Sequence, residues 1–146
     1  MIYNGIDRDI FSKEKRVKNN KSYKKVVIPC TLDKLREQFL NYWIKRSSQF
    51  ERVLIYGVNC GADLQRNMFA KILPPVSDVS EIIKDADYVA GILMGRVNLE
   101  AMSMGIPSYI HDPENPEKFE VFDIKEDSFD RKFNIKNVYK KITELL

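Results

Sequence analysis

One carboxylate stands alone in the middle of the stretch Asp85 to Asp112, DADYVAGILMGRVNLEAMSMGIPSYIHD. Glu100 lies one turn into a segment that reads as a helix. Gly95, Arg96 and Val97 stand at the opening of that helix. The first turn of a helix leaves backbone N–H groups without partners, and these favour an anion. A carboxylate just behind them can accept hydrogen bonds from a pair of hydroxyls. Phosphate on the helix start and a ribose diol on Glu100 is therefore the chemistry this spacing suits. Lys34 and Arg36 add two cations in a second loop.

The elements that must position these groups follow from pattern. Tyr88 to Leu93 is an uncharged apolar run, as expected of a strand buried on both faces. Gly95 breaks it, and Arg96 to Met104 has apolar residues on nearly every face, which suits a helix packed on a sheet. Gly105 ends that helix, Pro107 forbids its continuation, and Ser108 to Ile110 is the next strand. Upstream, Lys25 to Cys30 is the first core strand. Thr31 or Asp33 then caps a helix of about fourteen residues with Leu32, Leu35, Phe39, Tyr42 and Trp43 at helical spacing. Arg52 to Tyr56 is the second strand, followed by Gly57, Gly61 and a short helix near Ala62 to Phe69. Lys71 to Leu73 is a third strand, and Ser77 or Ser80 caps a helix over Val79 to Lys84. Glu120 to Ile124 reads as a last, edge strand. Residues 125–134 are charged and irregular. Ile135, Val138, Ile142 and Leu145 form the apolar stripe of a C-terminal helix.

Alternating strands and helices point to an α/β, Rossmann-like, doubly wound and mostly parallel sheet of about six strands, with helices on both faces. The right-handed crossover rule favours the order 3-2-1-4-5-6. In that order the first and fourth strands are neighbours at the switch point, where ligands sit outside the carboxyl ends. Thr31 to Arg36 and Leu93 to Val97 flank the crevice. The expected organisation is one domain over residues 1–146: a lead-in and basic loop (1–24), an α/β core (25–134) and a C-terminal helix (135–146).

Other chemistries fit less well. Of two Asp-x-Asp triplets, Asp85–Asp87 precedes its strand and Asp7–Asp9 lies in a turn, so neither suits a metal–diphosphate site. No Gly-x-x-x-x-Gly-Lys-Ser/Thr loop and no Gly-x-Gly-x-x-Gly after the first strand is present. His111, the single histidine, ends the fifth strand without a recognisable nucleophile partner. Cys30 and Cys60 fit a reduced protein.

The chain has 146 residues and a formal charge of +3, which is mild and does not argue for nucleic acid. Residues 13–25 hold seven Lys or Arg against Glu14 alone. That run is a solvated loop or a rim facing phosphates or an anionic membrane surface. No apolar run approaches the roughly 20 residues of a membrane span, and the N-terminus does not read as a signal peptide. The expected location is cytoplasmic, with peripheral contact at the membrane surface as an option.

Two motifs at the ends of this pattern carry a resemblance. Asn4-Gly5-Ile6-Asp7 followed by Phe11 resembles the segment that opens the C-terminal, donor-binding domain of retaining GT-B glycosyltransferases of the group 1 (family 4) type. Leu99 to Pro107, LEAMSMGIP, resembles that family's "LEAMA-x-G-x-P" signature. Leu54 to Gly61 and Asp85 to Tyr88 are similar to its intervening motifs. The resemblance implies a nucleotide-sugar site for a UDP- or GDP-sugar, with no required metal or other cofactor. Glu100 falls at the ribose-binding glutamate, and Gly95, Arg96 and Val97 fall at the diphosphate amides. Val76 and Ser77 fall at the base-binding turn, and Lys34 or Arg36 stands in for a phosphate-binding lysine.

Three departures qualify the implied role. Ile92 stands where the family often has a first glutamate, and Pro29-Cys30-Thr31 stands where it has an arginine. The chain also opens at the motif that follows a whole N-terminal domain. The resemblance thus implies half of a hexosyltransferase of carbohydrate biosynthesis, paired with an acceptor-binding domain or separate subunit and inactive alone. Catalytic residues are not identified. The alternatives are a non-catalytic nucleotide-binding or protein-interaction module, and half of a sugar-nucleotide epimerase for which only His111 and Asp112 offer acid–base groups.

Overall fold

Lys24–Pro29 (β1) lies at the centre of a sheet whose residues alternate between two apolar layers. Val26 and Ile28 point to one side and Val27 to the other, each fully buried. A strand covered on both faces reads as a continuous apolar run for this reason. The computed structural model describes residues 10–11, 24–49, 51–92 and 96–122. The Asn4–Asp7 turn, most of the basic stretch, Leu93 to Gly95, Ile124, the segment 125–134 and the C-terminal stripe lie outside the described residues.

The elements run β1, α1 (Glu37–Arg46), β2 (Glu51–Tyr56), β3 (Ala70–Leu73), α2 (Val79–Ile83), β4 (Tyr88–Ile92), α3 (Arg96–Ser103), β5 (Ser108–His111) and β6 (Phe119–Phe122). The sheet order is β3-β2-β1-β4-β5-β6, the order that alternation and crossover handedness favour. All pairings are parallel except β5–β6, which is antiparallel. α1 covers one face, burying Phe39, Leu40, Trp43 and Ile44 against Val26, Ile28, Val53 and Ile55. Ile83 of α2 and Leu99, Ala101 and Met102 of α3 cover the other face with Val27 and Val89.

Three local expectations are corrected. α1 starts at Glu37 rather than near Thr31 and has ten residues. Leu32 is held in a bridge to Asn59, its N–H donating to the Val58 carbonyl and its own carbonyl accepting from Cys60. Its backbone groups are thus committed before a helix can form, and Leu35 is left exposed rather than in the core stripe. No helix forms over 62–67. There the side chains of Asn59, Glu37 and Asn41 take the N–H groups of Ala62, Asp63 and Gln65. Such bonds compete with helix formation. α2 is capped by Asp78, whose carboxylate accepts from Ser80 N, rather than by Ser77 or Ser80.

Two glycines are required by geometry. A Cβ on Gly57 would fall 1.8 Å from the Cys30 carbonyl oxygen, because the segments after β1 and β2 continue side by side there, hydrogen-bonded backbone to backbone. Gly105 has a φ of 74°, the left-handed residue that stops α3. Among the described residues no helix is long and apolar enough to cross a membrane.

Candidate functional site

α3 begins at the carboxyl end of β4, directly beside β1, so its first turn stands at the switch point of the sheet. A groove between α2 and α3 opens there into a cavity of about 900 Å³. Arg96 and Glu100 line one wall, Ser77, Asp78, Ser80, Glu81 and Lys84 the other, and Ile10 and Phe11 complete it. Phe11 is seated by a hydrogen bond from Ser103 Oγ to its carbonyl oxygen and packs into the α2–α3 core. The lead-in residues thus belong to the site. Their resemblance motif was the only signal of this in the sequence.

Glu100 is 6% exposed, yet its carboxylate accepts no hydrogen bond among the described residues. Its nearest charged neighbour is Arg96, with Nε 3.6 Å from Oε1. Arg96 itself is largely exposed and free to turn toward a ligand. Burial pushes the Glu100 carboxyl above its usual range, and the Arg96 charge opposes this. A buried carboxylate without hydrogen bonds costs stability. It is an acceptor facing an open cavity, which is what a diol would meet.

The opposite wall carries a group that the sequence reading passed over. Asp78 Oδ1 accepts from both the backbone N–H and the hydroxyl of Ser80, at 3.1 and 2.6 Å. Its Oδ2 carries no hydrogen bond among the described residues. Glu81 is occupied by Lys84 at 2.8 Å. Asp78 was masked in the sequence by the serines on either side, which are equally good caps.

The expected site residues divide. The structure brings Glu100, Arg96 and Ser77 to one cavity. Val76 lines a smaller neighbouring cavity of about 270 Å³ with Pro29, Cys30 and Thr31. Val97 is half-buried and packs into the core on the α3 face. Gly95 lies outside the described residues. Lys34 and Arg36 do not reach the Glu100 cavity. Lys34 pairs with Glu37 at 2.9 Å and Arg36 with Asp33 at 2.7 Å. Acids one turn away on the same segment capture both cations.

The remaining candidates have structural partners. Trp43 Nε1 donates to His111 Nε2 at 3.0 Å, and His111 Nδ1 lies 2.6 Å from the Pro116 carbonyl. The ring is 2% exposed and packed among Phe39, Tyr42, Trp43, Tyr109 and Phe119. Burial holds its pKa below the usual histidine value despite the Pro116 bond, and Arg46 adds to this. Both nitrogens are used in the neutral form, so His111 ties α1 to the loop after β5. Asp85 and Asp87 serve at the amino end of the sheet. Asp85 pairs with Lys25 Nζ at 2.6 Å, and Asp87 accepts from Lys25 N at 2.8 Å.

No family model matches the sequence, and no curated protein matches it. Solved structures do match. Anabaena Alr3699/HepE in complex with UDP and glucose superimposes with a TM-score of 0.69 at 13% identity, covering 99% of this chain and 55% of that one. The same protein with UDP-glucose gives 0.68 at 14%, covering 99% and 56%. A glycosyltransferase from Rickettsia africae gives 0.69 at 12%, covering 99% and 55%. The chain therefore spans a little over half the length of each. At such identities the likeness shows the fold alone, a mostly parallel, Rossmann-like α/β sheet shared with a little over half of each of those chains.

Proposed function

We propose that this chain is the nucleotide-sugar donor-binding half of a retaining glycosyltransferase, working with an acceptor-binding domain on the same or another chain in the cytoplasm. The observation that carries the reading is Glu100. It is a buried carboxylate that accepts no hydrogen bond among the described residues, on the wall of a cavity at the switch point, one turn behind a helix start. In this reading Glu100 accepts from the two ribose hydroxyls of a UDP- or GDP-sugar. The amides opening α3, with Arg96, meet the diphosphate. As the bond from the anomeric carbon to the diphosphate oxygen breaks, these fixed donors stabilise the charge that develops on the leaving group. The reading assigns no role to a metal. Leu35, Val58 and Val76, in the segments that follow β1, β2 and β3, leave apolar surface exposed, and in this reading the second wall of the cleft stands at that carboxyl end of the sheet.

Isothermal titration of the chain with UDP, GDP and ADP, free and sugar-linked, tests the reading. Saturable binding that survives EDTA and weakens in Glu100→Ala is expected. Absence of binding by every nucleotide would refute it.

A further inference from the structure

We infer that Asn98 donates a hydrogen bond from its side-chain amide to the diphosphate of the donor. The inference rests on the donor-site reading and deepens it. Asn98 is the third residue of α3 and is 2% exposed. Its backbone carbonyl accepts from Ser108 Oγ at 3.2 Å. Its side chain makes no hydrogen bond among the described residues, and Nδ2 is sealed from solvent. Helical side chains lean toward the start of their own helix. The Asn98 amide accordingly lies back along α3, over Gly91, the penultimate residue of β4. Gly91 supplies the room, since a Cβ there would fall 2.6 Å from Oδ1 and 3.4 Å from Nδ2. The group thus sits between the carboxyl end of β4 and the first turn of α3, at the switch point of the sheet.

An amide in that place is costly. A buried N–H group with no acceptor gives up its hydration and regains nothing. Leu99, Ala101 and Met102 of the same helix are apolar and buried. Leucine has the branched outline of asparagine and would fill the space at Gly91 without that cost. An acceptor that arrives with a ligand accounts for the amide. The first-turn N–H groups of α3 and the Arg96 guanidinium favour an anion, so the acceptor is a phosphate oxygen. The last torsion of an asparagine side chain is broad, and no hydrogen bond among the described residues holds this one. The amide therefore turns Nδ2 toward the helix start when phosphate arrives. Arg96 is largely exposed, whereas this donor acts where water is excluded and a hydrogen bond is stronger. Glu100 faces the groove beside α2 and Asn98 faces the sheet. A ligand lying across the start of α3 meets the first with its ribose and the second with its phosphates.

The experiment is titration of the wild-type chain and Asn98→Leu with UDP, GDP and ADP and with their nucleosides, alongside urea unfolding of both proteins. Leucine is the better helix former and leaves no orphan donor, so the urea midpoint of the variant should be equal or higher. Affinity for the diphosphate that binds should fall by about tenfold, and affinity for its nucleoside should not change. Unchanged diphosphate affinity, or a lowered midpoint with diphosphate and nucleoside weakened alike, would overturn the role of Asn98 while leaving the donor site standing. Side-chain amide NMR of the isotope-labelled wild type gives a second reading that does not depend on the variant. Saturating diphosphate should move an Asn98 Nδ2–H resonance downfield and slow its exchange, and nucleoside should do neither. Resonances that ignore the diphosphate would overturn the assignment to Asn98 alone. Failure of all three nucleotides to bind the wild type would overturn both this inference and the donor-site reading.

Discussion

Replacing Glu100 should move stability and affinity in opposite directions. Burial raises the carboxyl pKa of Glu100 in the folded chain above its ordinary value. Between the ordinary and the raised value the folded state holds the proton more tightly than the unfolded state. Stability contributed by this group is therefore present at low pH and lost as pH rises through the raised pKa. At neutral pH the ionised group is a net cost. Glu100→Gln removes the charge while keeping the shape, so it should raise the urea midpoint at pH 7 and flatten the acid side of the stability profile.

Nucleotide binding should respond the other way. Hydrogen bonds to a charged acceptor contribute about 1.5–3 kcal/mol each. Loss of two by Glu100→Ala should cost roughly 3 kcal/mol, or about two decades in Kd. Glu100→Gln keeps one neutral acceptor and should lose roughly one decade. The decisive assay is a double-mutant cycle against the ligand. A 2′-deoxy nucleotide should bind the wild type more weakly than the ribonucleotide, and Glu100→Ala should erase that difference. A variant that gains stability and keeps full affinity, or a wild type indifferent to the 2′-hydroxyl, would refute the role given to Glu100.

Other outcomes follow from the same geometry. The folded pKa of His111 is depressed, so its contribution to stability is present above about pH 6.5 and lost as pH falls through the folded value. Urea midpoints followed by Trp43 fluorescence should fall from pH 7 to pH 5, and His111→Gln should reduce that fall. Gly57→Ala places a methyl 1.8 Å from the Cys30 carbonyl and should destabilise by about 3 kcal/mol in urea unfolding. Burial pushes the Cys30 thiol up to about 11, whereas Cys60 is exposed. A thiol reagent at pH 7 should therefore label Cys60 rapidly and Cys30 only in denaturant.

Much of the frame was legible because its signals are local. Apolar runs such as Tyr88 to Ile92, glycine stops such as Gly105 and the stripe of Phe39 and Trp43 each report a period set by one element. The misread segments are those where one loop takes the backbone of another. Leu32 is bound by the β2–β3 loop before α1 can start. Asp63 and Gln65 give their N–H groups to side chains that lie far off in sequence, Glu37 and Asn41. The candidate site shows the same division. Glu100 was conspicuous as a lone acid in an apolar stretch, whereas Asp78 looked like one of several equivalent caps.

The sequence by itself determined the sheet order and the place of the crevice. Strand period, crossover handedness and the glycine breaks are properties of the chain that any compact arrangement must respect. Only the tertiary structure decided which charges remain available there. Lys34 and Arg36 are taken by acids one turn away, and His111 is closed within aromatic rings. Glu100 and one oxygen of Asp78 are left facing the cavity, because hydrogen-bond partners are allotted by which surfaces meet in space.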